Sequence, residues 1–230
     1  MKRSKKYKKV EKLVEENKVY TIEEACKLLP KISISKFDSS VEIHINLALS
    51  DKQKKESIKG STTLPHQVGS SAKVAVVTTP ENMDKASKAD MSGGDDLIKK
   101  IEEGFNDFDI LIATPDIMPK MATLGKILGP KGKMPNPKNG TITTDIEKTI
   151  ESYKKGKLDF KADSQQGMHA PVGKASMKAG DLEDNVKTFL KAVFKETKNL
   201  QPNPFRTIFL TPTMGPSIPL DVNEVLKNLT

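Results

Sequence analysis

The chain of 230 residues carries 38 Lys and Arg against 30 Asp and Glu, a formal charge of +8, with 36% apolar residues and no Trp. No apolar run approaches the roughly 20 residues that cross a bilayer. The basic start Met1 to Lys9 leads into Val10-Glu11-Lys12 rather than an apolar signal core, and a single Cys26 excludes an internal disulfide framework or a cysteine-cluster metal site.

These features read as a soluble cytosolic protein without membrane contact, whose pI near 9.3 suits a polyanionic partner or simply a lysine-rich solvated surface. In chain order, Val10, Leu13 and Val14 recur at helical spacing after the basic start. Thr21 with Glu24 forms a capping box for a helix through about Leu29. From Val41 the pattern becomes strict alternation, with Val41, Ile43, Ile45, Leu47 and Leu49 apolar, so a strand with one buried face follows. Continued backward, the alternation puts Phe37 on the core side and Lys36, Ser40 and Glu42 on the polar side.

The runs 73–77 and 109–113 are nearly continuous and apolar, with helical candidates at 81–89 and 95–104 between them, which predicts a parallel βαβ unit covered on both faces. Thr114-Pro115-Asp116 could open another helix, and Thr144 or Asp145 could cap one to about Tyr153. Segment 124–138, rich in Gly, Pro and Lys, reads as a shaped loop, either a basic loop near a polyanion or a solvated one. Two-sided strands are expected at 157–163 and 168–174, joined by a turn containing Gly167. Asp181 caps a helix with Leu182, Val186, Phe189, Leu190, Val193 and Phe194 on one stripe, and a last strand spans 206–211.

Residues 1–66 carry 15 basic and 9 acidic side chains, 67–159 carry 14 of each, and 160–230 carry 9 and 7. The whole excess lies at the two ends. Half-buried strands at both ends flank a fully buried α/β middle, so the expected architecture is one discontinuous α+β domain, 1–66 and 160–230, with a Rossmann-like α/β domain, 67–159, inserted; three consecutive units are the alternative.

Enzyme chemistry finds little support. Gly129 to Met134 lacks the spacing of a phosphate loop, and no Gly-x-Gly-x-x-Gly occurs. His44, His66 and His169 lie far apart in sequence with no obvious Cys or carboxylate partner, so they read as structural or surface histidines, and no metal or cofactor is expected. Only Arg3 and Arg206 are arginines, which leaves point-charge phosphate contacts by lysine rather than bidentate base readout. Thr211-Pro212-Thr213-Met214-Gly215-Pro216 sets hydroxyls beside a Gly held stiff by prolines, suited to ribose and phosphate or to a plain strand exit.

The ordered set Lys36-Phe37-Asp38-x-x-Val41-Glu42, Gly60-x4-Pro65-His66, Asp107-Phe108-Asp109 with Ala113 to Asp116, Leu124-Gly125 through Asn136-Pro137-Lys138, His169-x-Pro171-x-Gly173-Lys174-Ala175-Ser176 and Thr213-Met214-Gly215-Pro216 resembles the bacterial large-subunit ribosomal protein L-one family, from about Lys6 to Asp221. The resemblance implies a non-enzymatic, two-domain ribosomal protein, a monomer within the large subunit. It would bind large-subunit rRNA in the mobile stalk beside the tRNA exit site, assist release of deacylated tRNA, and repress its own mRNA; a non-ribosomal RNA-binding regulator is the alternative. Carried over by motif, the RNA contacts fall on Lys36, Phe37, Ser40, Glu42, His169, Lys174, Ser176, Thr207, Thr211, Thr213, Met214 and Gly215, with Lys126, Lys131, Lys133 and Lys138 as a secondary basic surface. Phe37 is therefore read as core by pattern and as contact by resemblance. Ser40 stands where the family commonly has Thr, and Pro212 replaces a usual Thr.

Overall fold

Alternation from Val41 to Leu47 builds the central strand of a four-stranded sheet. The computed structural model describes residues 3–15, 18–48, 58–69, 73–197 and 203–229, with Lys138 and Leu229 described by backbone alone. The chain divides into two compact units, one comprising Met1–Gly69 and Leu158–Thr230, the other Ser70–Lys157.

In the first unit β1 (Ser40–Leu47) lies between β7 (Gly167–Lys174) and β8 (Phe205–Pro212), both antiparallel to it, and β9 (Ile218–Pro219) extends the sheet beyond β8. Val41, Ile43, Ile45 and Leu47 are buried, as the period of two requires; Leu49 lies outside the described residues. The inner sheet face shares one core with α2 (Ile22–Ile32) and α7 (Ala179–Thr197). The capping box at the start of α2 is complete, Thr21 Oγ1 accepting from Glu24 N and Glu24 Oε2 from Thr21 N. This helix runs past Leu29 through Pro30, because Leu29 and Ile32 are both fully buried and hold its last turn on the core. The expected stripe of α7 is buried throughout; the helix starts at Ala179, so Asp181 sits in the first turn, where its charge favours the helix N-terminus, rather than at the cap. A short basic helix, α1 (Lys5–Glu11), precedes α2 and is capped by Ser4.

Strands at 157–161 and 167–174 exist as expected but belong to different sheets: β6 (Lys157–Lys161) pairs with β2 (Lys59–Thr63), whereas β7 pairs with β1. Gly167 begins β7 rather than sitting in the turn. The chain reverses at Gln166, in the left-handed region, with Asp163 Oδ1 accepting from Gln165 N and Gly167 N. At Gly60 a Cβ would stand 2.5 Å from the Phe160 ring, which in turn meets Phe189 of α7 edge-on. A final helix, α8 (Val222–Leu229), follows β9.

The second unit holds a parallel three-stranded sheet in the order β4 (Met91–Gly93), β3 (Val74–Val77), β5 (Ile110–Ala113). Ala75 and Val77 face one core and Val74 and Val76 another, which is why these runs lack alternation. The second of these cores includes α6 (Ile146–Lys154), which Asp145 precedes without a side-chain cap bond. Between β3 and β5 only 95–102 is α-helical, as α3 (Asp95–Glu102); residues 81–89, expected to be a helix, form two short 3-10 turns before β4. After β5 a 3-10 turn at Pro115–Ile117 leads through α4 (Met118–Met121) to α5 (Gly125–Leu128). The loop expected over 124–138 is thus helical in its first part, because Leu124 and Leu128, one turn apart, are both fully buried.

Candidate nucleic-acid interface

Antiparallel pairing places the start of β1 beside the ends of β7 and β8, with Ser40 opposite Lys174 and Val41 opposite Pro212. The segments before β1, after β7 and after β8 therefore meet at one end of the sheet, and cross-bonds lock them. Thr213 N donates to the Ser40 carbonyl at 2.9 Å, and Ala175 N donates to the Ser39 carbonyl at 2.9 Å. Thr213 Oγ1 donates to Glu42 Oε1 at 2.7 Å. Asp38 accepts from Ser176 twice, from its N at 3.0 Å and its hydroxyl at 2.8 Å, and Lys174 Nζ donates to Ser40 Oγ at 3.2 Å. The turn Pro212 to Gly215 closes with Gly215 N donating to the Pro212 carbonyl at 2.8 Å.

The outcome for Phe37 is decisive: its side chain is 68% exposed, and Met214 is 57% exposed. Regular pairing starts only at Ser40, so the alternation does not extend back through the bend at 36–37. The neighbouring Ser39 is buried instead, its hydroxyl bonded to Ser33. Phe37 and Met214 line a groove of about 300 Å³ with Arg3, Tyr7 and Ile34. Arg3 stacks over the Tyr7 ring at 4.4 Å and pairs with Glu11. Sequence reading missed Arg3, Tyr7 and Asp38; the available signal was that Arg3 is one of just two arginines and that Asp38 lies inside the motif.

Glu42, His169, Thr207 and Thr211 all lie on the outer face of the four-stranded sheet. Thr211 stands opposite Glu42, close to the locked end, whereas Thr207 stands opposite Asn46, toward the other end of β1. Thr207 is thus on the face but away from the cluster of Lys36, Phe37, Ser40, Glu42, Lys174, Ser176, Thr211, Thr213, Met214 and Gly215. The histidines, remote in sequence, meet: the Nδ1 atoms of His44 and His169 are 2.7 Å apart. Burial, then the neighbouring His169, hold the His44 pKa below its ordinary value, against the opposite pull of Glu42. In the second unit Lys126 and Lys131 are exposed, but Lys133 donates to the carbonyls of Phe108 and Asn106 and is half-buried, so its charge is committed within that unit. The side chain of Lys138 lies outside the described residues.

Residues 29–216 match the family model described as ribosomal protein L1p/L10e family. The chain belongs to that family. It is 40% identical over 229 residues to the large ribosomal subunit protein uL1 of Kosmotoga olearia, covering 98% of this chain and 99% of the relative. Proteins of the same name from Prochlorococcus marinus strain AS9601 and Persephonella marina are 42% identical over 213 residues, 91% of each chain, and 41% identical over 235 residues, 99% of this chain and 97% of the relative. As an L1p/L10e protein the chain is a ribosomal protein, not an enzyme, and the mixed α/β architecture in two units agrees with that membership. Among the described residues no helix is long and apolar enough to cross a membrane.

Proposed function

We propose that this chain is a structural protein of the large ribosomal subunit that binds large-subunit rRNA as a monomer, through the end of the four-stranded sheet in the unit built from both chain termini. The observation that carries this reading is the locked end itself. Exposed Phe37 and Met214 flank hydroxyl and backbone groups fixed by the Thr213–Glu42 and Ser176–Asp38 bonds. RNA presents ribose 2′-hydroxyls and phosphates rather than a readable major groove. Acceptors such as Glu42 suit a 2′-hydroxyl donor, lysines such as Lys36 and Lys174 meet phosphate, and apolar side chains cover sugar surfaces. Because these contacts are fixed before RNA arrives, little ordering cost remains.

The same recognition of RNA shape extends to two further roles that the family resemblance suggests: holding the stalk beside the exit site, where it assists release of deacylated tRNA, and repressing the protein's own mRNA where that message repeats the rRNA shape. The exposed Lys126 and Lys131 of the middle unit would serve as the secondary surface. Co-sedimentation with large subunits, stable to competing RNA of unrelated shape, is expected; binding to mRNA without association with subunits would replace the ribosomal role by that of a free regulator. Affinity for an rRNA fragment should fall linearly with salt on a log–log scale as counterions are released, and flat affinity would remove lysine attraction from the account.

A further inference from the structure

The outer sheet face carries a second arrangement, which shares Glu42 and His169 with the expected RNA contacts. His44 on β1 stands directly opposite His169 on β7, and their Nδ1 atoms face one another at 2.7 Å. The other nitrogen of each ring points to a carboxylate: His44 Nε2 lies 3.7 Å from Glu42 Oε2, and His169 Nε2 lies 3.9 Å from Asp163 Oδ2. Asp163 is held in place by backbone donors from Gln165 and Gly167. The absence of a side chain at Gly167 keeps its approach open, since a Cβ there would stand 2.8 Å from Asp163 Oδ2 and 3.1 Å from His169 Nε2.

The 2.7 Å separation is of hydrogen-bond length, so in the metal-free chain one Nδ1 carries a proton that the other accepts. The carboxylate beside each Nε2 draws ring proton density toward that nitrogen, which favours giving up the shared Nδ1 proton to a cation. Carboxylate, histidine and metal in series is the arrangement by which outer groups orient and strengthen an imidazole ligand.

We propose that His44 and His169 form a two-imidazole site for a borderline transition-metal cation of the Zn²⁺ class, bound through both Nδ1 atoms and oriented by Glu42 and Asp163. Bonds of about 2.0–2.1 Å to a tetrahedral ion would set the two nitrogens about 3.3 Å apart, a small outward turn of two partly exposed rings. Among the described residues no group of three or more His, Cys, Asp and Glu could hold a metal ion. The two imidazoles would therefore be the whole protein contribution, with water completing a tetrahedral shell. Because metal and proton compete for Nδ1, binding should weaken as pH falls.

The test is Zn²⁺ titration of the RNA-free full chain by calorimetry, together with long-range nitrogen–proton spectra of the histidine rings. The expected result is one ion per chain, with Zn²⁺ shifting Nδ1 of His44 and His169 while Nε2 stays protonated. His44→Asn and His169→Asn should each weaken binding by about tenfold or more, and Asp163→Asn by about tenfold. His66, the third histidine, lies beside Asp181 and Asp184, and His66→Asn should leave binding intact. The proposal is overturned if the wild-type chain shows neither heat nor Nδ1 shifts at millimolar Zn²⁺, if the shifts fall on Nε2, or if His66→Asn alone abolishes binding. The spectra of the wild-type chain decide the matter even where a variant fails to fold. Since no RNA is present, a failure here leaves the rRNA reading untouched.

Discussion

Gly215 has no room for a side chain: a Cβ there would stand 2.5 Å from Pro212 Cγ and 2.7 Å from the Ile32 carbonyl oxygen. Either the turn or the end of α2 must move to admit one. Gly215→Ala is expected to lower stability by about 1–3 kcal/mol, the usual cost of overpacking, measured by urea unfolding, and to weaken RNA binding because the same turn presents Met214. Unchanged stability would show that the turn yields freely. Cys26 makes a separate residue-scale prediction. Burial, reinforced by Glu183, pushes its thiol up to about 12, so the native protein keeps it protonated. In the unfolded chain the thiol ionises at a lower pH, so it weakens stability only as pH rises above that ordinary thiol range. A thiol reagent at pH 8 is expected to label Cys26 only on unfolding, and rapid labelling of the native chain would contradict its burial. Phe37 marks the limit of reading at this scale. Alternation is evidence only while the backbone stays in the ladder, and the bend before Ser40 carries no period.

Elements that face a core were legible because the core imposes their pattern. β1 and α7 follow from one-sided apolar spacing, β3 and β5 from short continuous apolar runs between two layers, α6 from its start at Thr144 or Asp145, and α2 from its capping box. What stayed hidden depended on partners distant in sequence. Three-residue β4 and two-residue β9 have no period to read, and β6 and β7 look like a hairpin until their actual partners, β2 and β1, are known. The meeting of His44 with His169 was invisible for the same reason, being a matter of register. Asn185, on α7, is another case: it is fully buried, with Oδ1 accepting from His66 N at 3.0 Å and Nδ2 donating to the carbonyls of His66 and Val172, each at 2.9 Å. It fastens the helix both to the segment after β2 and to β7. Asn185→Leu leaves these backbone groups unpaired, at about 1–3 kcal/mol for each one that water cannot reach. Denaturant unfolding should show that loss, and a neutral result would mean that solvent enters to satisfy them.

At the scale of the whole molecule, the core of the first unit draws on residues from both chain ends and on none between Ser70 and Lys157, while the second unit has cores of its own. Replacing Ser70–Lys157 by a short flexible linker should therefore leave a fragment that unfolds cooperatively; a non-cooperative transition would show that its core depends on the removed unit. The charge pattern points the same way, since the basic excess belongs to the chain ends and the middle is balanced. On the proposed reading, charge gives long-range attraction and recognition falls to a nearly uncharged loop held by Glu42 and Ser40. The direct test is equilibrium affinity for a large-subunit rRNA fragment, comparing Met214→Ala with the double substitution Lys126→Ala, Lys131→Ala in the full chain. Losing the packed contact at Met214 should cost about 1–3 kcal/mol and the double substitution distinctly less; the reverse ranking would move the RNA site to the middle unit and contradict the account.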